Sequence, residues 1–286
     1  MISPLVSVKM ITFNHCMYIG RAIEGILMQK TTFPFELVIG DDCSTDGTTD
    51  IISGYAEKYP GIIRHIKREK NLGAKENARD LNRYLRGEYV AFCEGDDYWT
   101  DSCKLQKQAD FLEGHPEYSM CFHPVEVIRE DGRSTGLFRN LEEREYSPSE
   151  ILERWTIPTC SVMFRGRYYP EFYYHPHYLF TDIALFLTLA KFGRLWCMKE
   201  TMAVYSRHQG GVTQKKIPYE RRLAHFAALE SQFGSNFSKQ LRRLRSDIFY
   251  SEARERARRF SPLAALFFAR AIISDPGFLY RKIFRK

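Results

Sequence analysis

Strand and helix patterns alternate over the first 130 residues with short loops between them, and this predicts an α/β fold, a mostly parallel sheet with helices on both faces. Three of the first four strand patterns close in polar clusters, which is where sheets of this kind collect ligands. Where the alternation stops, a helical and strongly basic segment begins.

The elements follow in order. Val6 to Thr12 is rich in β-branched residues and reads as a strand, and Tyr18 to Gln29 places Ile19, Ala22, Ile23, Ile26 and Leu27 at helical spacing. Phe35 to Gly40 is a second strand and Thr48 to Tyr59 a second helix. Ile62 to Ile66 and Ala74 to Arg86 repeat the alternation, and Tyr89 to Cys93 is a fourth strand before a helix from Lys104 to Glu113. Beyond Tyr118 the pattern changes. Ser119 to Arg129, Thr159 to Phe164 and Leu195 to Tyr205 read as strands, Asp182 to Lys191 as an apolar helix, and everything from Ile217 as helix broken near Pro262 and Pro276. The expected organisation is one catalytic domain over residues 1–215, with halves of about 1–115 and 116–215, and a helical basic extension over 216–286.

Bulk properties narrow the class. The chain has 286 residues, 44% hydrophobic and 27% charged, enough for a large core without covalent staples. Its seven cysteines are odd in number, scattered and free of CxxC pairs, so neither a disulfide framework nor a zinc site is expected; reduced thiols in a cytoplasm are the simplest reading. Met1 to Leu5 has no basic or long apolar character, so no secretory signal is expected, and no stretch nears the ~20 apolar residues of a membrane span. The net charge of +7 is uneven: residues 239–286 hold 13 Lys/Arg against 4 Asp/Glu, whereas the rest hold 29 against 31. A near-neutral body argues against nucleic-acid binding, and the basic tail asks for its own explanation.

The polar clusters are Thr12-Phe13-Asn14-His15 after the first strand, Asp41-Asp42 through Gly47 after the second, and Glu94-Gly95-Asp96-Asp97 after the fourth. Carboxylates gathered at one end of a sheet repel one another unless a cation or a set of donors lies between them. The Asp42–Gly47 run imitates the start of a calcium loop, but its twelfth position is Ser53 where a bidentate Glu is required. No GxxxxGK[ST] and no GxGxxG after a strand occur, which removes the P-loop and dinucleotide-binding classes.

The turn Thr12-Phe13-Asn14, the block GDDCSTDGT, the stretch NLGAKENARDLNRYLRGEYVAF and the block EGDDYW stand in order over residues 5–130, with weaker similarity to about residue 213. Together they resemble the family-2 glycosyltransferases of GT-A fold, whose sheet is Rossmann-like, and EGDDYWTDSCKLQKQADFLEGHPEYS is similar to bacterial surface-polysaccharide members. The resemblance implies an inverting transfer from a nucleotide-diphosphate donor, a UDP-sugar, to a glycan or lipid-linked acceptor, with Mn²⁺ or Mg²⁺. It implies that Thr12, Phe13 and Asn14 line the nucleotide, with Phe13 against the base. Asp42, beside Asp41, would accept from the base ring N–H. Asp96 would contact the ribose or sugar, with Asp97 the direct metal ligand and Asp96 sharing the ion. Asp182 would be the base for the acceptor hydroxyl. Arg207 and His208, in a late segment that folds over the diphosphate, would be a phosphate contact and a third metal ligand.

Each role has a plainer alternative. Asp41 and Asp42 also suit a turn, Ser44 or Thr45 and Thr181 or Asp182 suit helix caps, Phe13 suits a core, and Arg207 and His208 suit a solvated loop. Tyr98 and Trp99 shape either the acceptor side or packed structure. His15, His123, His175 and His177 read as ordinary histidines. The tail mixes arginines Arg254, Arg256, Arg258 and Arg259 with the apolar run Leu263–Ile273 and the basic Tyr280–Lys286, which suits either a helical cap or a helix lying on anionic lipid at the inner face of the membrane. Rival classes are a sugar nucleotidyltransferase, which lacks its Gly-rich basic loop here, and a non-catalytic protein that recruits partners through the tail.

Overall fold

The structure is a computed structural model that describes residues 3–154, 157–211, 217–258 and 261–278. The tail's Arg259 and Tyr280–Lys286 lie outside the described residues. The chain divides into two compact units: residues 1–151, 156–172 and 188–214 form the first, and 152–155, 173–187 and 215–286 the second.

The first unit is built on an eight-stranded sheet. Strands β1 (Val6–Thr12), β2 (Phe35–Asp41), β3 (Ile63–Lys67) and β4 (Tyr89–Phe92) lie in the order β3-β2-β1-β4, all parallel. Helices α1 (Ile19–Leu27), α2 (Thr48–Lys58) and α3 (Ala74–Leu81) make the crossovers. Strand periodicity assigns their faces. Val6, Val8 and Met10 share a fully buried cluster with Ile19, Ile23 and Ile26 of α1 and Ile52 of α2. Lys9, of opposite parity, reaches the other way and donates to Ala78 O and Asn82 Oδ1 at the end of α3 and to Tyr169 Oη. Burial pushes its ammonium down to about 7, and three acceptors are what make a lysine tolerable in the middle of a sheet.

The second half of this unit departs from the expected pattern. The run 119–129 is two strands, β6 (Tyr118–Phe122) and β7 (Val125–Arg129), broken at His123-Pro124, where proline has no N–H for a ladder. The run 195–205 is likewise β11 (Arg194–Cys197) and β12 (Ala203–Arg207). In both runs the chain leaves the large sheet and enters a small one: β6 pairs with β11, and β7 with β12, each pair parallel. The small sheet has the order β5-β12-β7-β8, with β5 (Tyr98–Trp99) and β8 (Ser134–Leu137) at its edges. Residues 159–161 form a 3-10 turn before the short strand β10 (Met163–Arg165), which runs antiparallel between β4 and β6, and β9 (Arg144–Glu145) closes the far edge. Helix α4 (Lys104–Gly114) buries Leu105, Ala109 and Leu112. Trp99 is core: it is 1% exposed, its Nε1 donates to Cys160 O at 3.0 Å, and Lys104 Nζ lies 4.0 Å from the ring centre. All seven cysteines are free thiols.

Helix α5 (Pro148–Arg154) runs from the first unit into the second, and α6 (Thr181–Leu189) begins in the second. The second unit is completed by α7 (Tyr219–Arg258), kinked at Phe237, and α8 (Leu263–Ser274). Tyr178 Oη donates to Gln232 Oε1, Leu179 N to His225 Nδ1 at 3.4 Å, and Ser246 Oγ to Ala271 O at 2.7 Å, tying the segment before α6 to α7 and α7 to α8. Among the described residues no helix is long and apolar enough to cross a membrane.

Candidate functional site

The carboxyl ends of β2, β1 and β4 are neighbours, with Thr12 opposite Asp41 in register. The loop after β4 comes close to β1: Gly95 N donates to Ile11 O at 3.0 Å, and a Cβ on Gly95 would stand 2.6 Å from Thr12 Oγ1. Only glycine permits that approach. The loops after β1 and β2 are knitted together through side chains. Asn14 and Cys43 both take left-handed backbone, with φ of 55° and 65°. Asn14 N donates to Ser44 Oγ, Asn14 Oδ1 accepts from Thr45 N, and Cys16 N donates to Asp46 Oδ2. Neither Ser44 nor Thr45 caps α2; the cap position is Gly47 at φ 98°, and Asp46 Oδ1 takes Thr48 N instead.

Within this frame the acidic pair after β2 is tied to the chain itself. Asp41 has no exposure and accepts from Ser44 N and Thr49 Oγ1, with His65 Nε2 3.6 Å away. Burial pushes its carboxyl up, but the nearby His65 ring and the hydrogen bonds from Ser44 and Thr49 outweigh it and hold the group well below the usual range. Asp42, 2% exposed, accepts from Leu72 N at 2.7 Å and Gly73 N at 2.8 Å and so fixes the chain entering α3. Phe13 is 42% exposed, an uncovered aromatic at the strand end rather than a core residue.

The pair after β4 divides. Asp97 turns inward: it is 2% exposed, its Oδ1 accepts from Ser206 N at 2.8 Å, and burial together with the charges of Asp96 and Glu94 pushes its carboxyl well up. Asp96 turns toward two imidazoles, with Oδ2 3.0 Å from His208 Nε2 and 3.9 Å from His15 Nε2. Burial pushes the Asp96 carboxyl up, yet the His208 hydrogen bond and the two ring charges hold it below its ordinary value. The same hydrogen bond raises His208, and burial lowers His15. One ligand atom each from His15, Asp96 and His208 lie within 4.8 Å of one another, the group among the described residues that suits a metal ion. The structure therefore brings Asp96 and His208 together, leaves Asp97 out of that group, and adds His15, which the motifs do not mark. The available signal for His15 is its position directly after Thr12-Phe13-Asn14 at a strand end.

His208 also lines a cleft of about 480 Å³ with Arg129, Glu130, Asp131, Arg207 and Gln209. Arg207 and Arg129 are register partners at the ends of β12 and β7, so two guanidinium-bearing positions stand side by side next to the imidazole. Tyr18 packs on His208 at 4.5 Å between ring centres.

Asp182 stands in the first turn of α6. Its Oδ1 accepts from Ile183 N at 2.9 Å, a capping contact, and burial pushes its carboxyl up to about 6. Capping and ionisation near neutrality coexist in one side chain.

The profile described as glycosyl transferase family 2 matches residues 7–181. Uncharacterized proteins of Mycobacterium tuberculosis and Mycobacterium bovis are 43% identical over 208 residues, 72% of this chain, and the match spans 60% of their length. The putative teichuronic acid biosynthesis glycosyltransferase TuaG of Bacillus subtilis is 29% identical over 74% of this chain and 83% of its own. The Escherichia coli UDP-Glc:alpha-D-GlcNAc-diphosphoundecaprenol beta-1,3-glucosyltransferase WfaP is 28% identical over 74% and 81%. Among solved structures, Staphylococcus aureus TarS in complex with UDP-GlcNAc shares the fold with a TM-score of 0.64 and 19% identity, covering 97% of this chain and 91% of that one. The Pyrobaculum calidifontis mannosyltransferase PcManGT in complex with GDP-Man and Mn²⁺ does so with a TM-score of 0.59 and 15% identity, over 98% and 88%.

Proposed function

The chain belongs to glycosyl transferase family 2 and has the GT-A fold, and from that premise we propose that it transfers a sugar, with inversion, from a UDP-sugar to a glycan or lipid-linked acceptor in surface-polysaccharide assembly. The observation that carries the reading is the contact of Asp96 with His208 beside the cleft flanked by Arg207 and Arg129. A carboxylate oxygen and imidazole nitrogens converging on one point fit a divalent ion. Asp96 and His208 would hold it, and the ion, Mn²⁺ or Mg²⁺, supplies Lewis-acid neutralisation of charge on the departing diphosphate.

The chain's own residues supply the rest. Phe13 offers its exposed face to the base. Asp42 retains lone pairs beyond its two backbone contacts for the ring N–H of the base, while Thr12, Asn14 and Asp41 shape the loops around it. Arg207 meets a phosphate oxygen. Asp97 positions, through Ser206, the strand that ends in Arg207 just before His208. Asp182, ionised above pH 6, takes the proton of the acceptor hydroxyl as its oxygen bonds to the anomeric carbon. As that bond forms, the bond from the carbon to the diphosphate breaks on the opposite face, and the nucleoside diphosphate leaves with the electron pair. A UDP donor is supported by WfaP and by TarS with UDP-GlcNAc, and a lipid-linked acceptor by WfaP. A thermal-shift panel of UDP, GDP, CDP and TDP with and without Mn²⁺ tests the reading, because a ligand of the native state raises the melting temperature. Stabilisation by UDP that requires Mn²⁺ supports it, and stabilisation by GDP alone would move the donor class.

A second reading concerns the tail. On α8, Leu263, Leu266, Phe268 and Ile273 are 38–79% exposed, with exposed Arg254, Arg258 and Arg270 in the same helical pair. Apolar side chains among arginines suit an anionic bilayer surface, which would hold the enzyme at the inner membrane face near a lipid-linked acceptor. Sedimentation with anionic liposomes at low salt is expected for the full chain, and equal sedimentation of a Leu266→Glu, Ile273→Glu variant would exclude it.

A further inference from the structure

His15 is the member of the metal-competent group that no carboxylate motif supplies. It belongs to the turn after β1, and the knitted loops hold it there: its backbone N donates to Thr48 Oγ1 at 2.8 Å, while Asn14 and Cys16 on either side are tied to Ser44 and Asp46. Its Nε2 looks toward the same Asp96 oxygen that His208 Nε2 contacts, at 3.9 Å and 3.0 Å. Ligands about 2.0–2.2 Å from one ion stand roughly 3 Å apart at right angles and just over 4 Å apart when opposite. The three ligand atoms, all within 4.8 Å, have close to that spread.

The second ring nitrogen gives an independent sign. His15 Nδ1 lies 3.2 Å from Thr12 Oγ1. A ring that donates Nδ1–H to that hydroxyl oxygen presents its lone pair at Nε2, and this back-side hydrogen bond is the usual companion of a metal-bound imidazole. The donor set also bears on which ion fits. Mg²⁺ prefers oxygen ligands, sheds water reluctantly and is normally completed by substrate phosphates, whereas imidazole nitrogen favours transition ions.

We propose that His15 is a third protein ligand beside Asp96 and His208, making a two-imidazole, one-carboxylate site that selects Mn²⁺ over Mg²⁺ and binds it before the nucleotide arrives. This rests on the metal-dependent reading above and adds to it a ligand, a selectivity and an order of binding. If His15 only steadies Asp96 by a hydrogen bond, the ion choice would be indifferent to it.

The test is calorimetric titration of MnCl₂ and of MgCl₂ into the full, chelator-stripped chain without nucleotide, joined to pulsed electron paramagnetic resonance of the bound Mn²⁺. The wild type is expected to bind Mn²⁺ at least about tenfold more tightly than Mg²⁺. His15→Ala and His208→Ala should each weaken Mn²⁺ binding by about tenfold or more and change Mg²⁺ binding far less. The nitrogen coupling should fall from two imidazoles to one in either variant. His15→Gln, which keeps length and offers an oxygen, should narrow the Mn²⁺/Mg²⁺ ratio in the same way, and melting in chelator establishes that each variant is folded. Wild-type Mn²⁺ affinity and a two-nitrogen signal in the folded His15 variants would overturn the proposal while leaving metal-dependent transfer intact. Failure of the wild type to bind Mn²⁺ even with UDP would overturn both.

Discussion

Two acidic pairs stand at neighbouring strand ends, Asp41-Asp42 after β2 and Asp96-Asp97 after β4, and the chain treats them differently. At the β2 end both carboxylates hold loops in place: Asp41 through Ser44 and Thr49, with His65 nearby, and Asp42 through the backbone of Leu72 and Gly73. At the β4 end Asp97 does the same through Ser206 and Cys160, whereas Asp96 faces two imidazoles. A carboxylate met by backbone N–H groups builds a loop and keeps only its remaining lone pairs for a ligand, and one met by metal-competent nitrogens is open to an ion. Sequence shows both as the same dipeptide; the donors separate them.

The sharpest way to break this contrast is to remove one carboxylate at a time. Asp96→Asn is expected to lower turnover by at least about 10³-fold, or roughly 4 kcal/mol of transition-state stabilisation, with a modestly lower melting temperature in chelator at neutral pH, since a carboxyl held below its ordinary pKa by His208 and His15 favours the fold. Asp182→Asn should cost about 10²–10⁴-fold in turnover without loss of stability. The sign follows from linkage: a carboxyl raised to about 6 in the folded state disfavours folding as pH climbs from the unfolded value toward 6, and asparagine removes that penalty. In the wild type, kcat/KM should fall with unit slope below pH 6 as Asp182 takes a proton; a flat profile there would remove it as the base.

Smaller effects probe the structural carboxylates. Asp42→Ala leaves two N–H groups without their acceptor and should lower stability by about 2–4 kcal/mol, seen as an earlier denaturation midpoint. Asp97→Ala orphans Ser206 N–H and the Cys160 thiol and should cost about 1–3 kcal/mol, whereas Asp97→Asn keeps an acceptor and removes a disfavoured buried charge, so its melting temperature should match or exceed the wild type. The smallest change is Phe13→Ala: an exposed ring contributes little to folding, and its loss should weaken nucleotide binding by about 1–3 kcal/mol without moving the melting temperature.

Much of the first unit was legible because its strands are short runs rich in β-branched and apolar residues and its helices carry a clear period, as β1 and α1 do. The places where reading failed share a cause. The runs 119–129 and 195–205 read as continuous because apolar residues resume after a short break, and the marks of passage from one sheet to the other are Pro124 in the first and the polar Lys199-Glu200-Thr201 in the second. The short strands β5, β8, β9 and β10 have no period to detect. Trp99, next to Asp96-Asp97, suited either the acceptor side or packed structure, and its large ring fills the core. At the site, the resemblance pointed to Asp97 as the direct metal ligand with Asp96 and His208 beside it, and to Asp182 as the base, but orientation decides the roles, and only coordinates give orientation. His15 escaped because a single histidine in a turn is chemically silent until two partners from elements 80 and more residues away come beside it.

The most direct test of the central claim, that Asp96 and not Asp97 serves a metal-dependent nucleotide site, is calorimetric titration of UDP into the wild type, Asp96→Asn and Asp97→Asn, each with and without Mn²⁺. Binding that requires Mn²⁺ in the wild type, persists in Asp97→Asn and disappears in Asp96→Asn is the expected result. Binding indifferent to Mn²⁺, or lost in Asp97→Asn and kept in Asp96→Asn, would contradict the account.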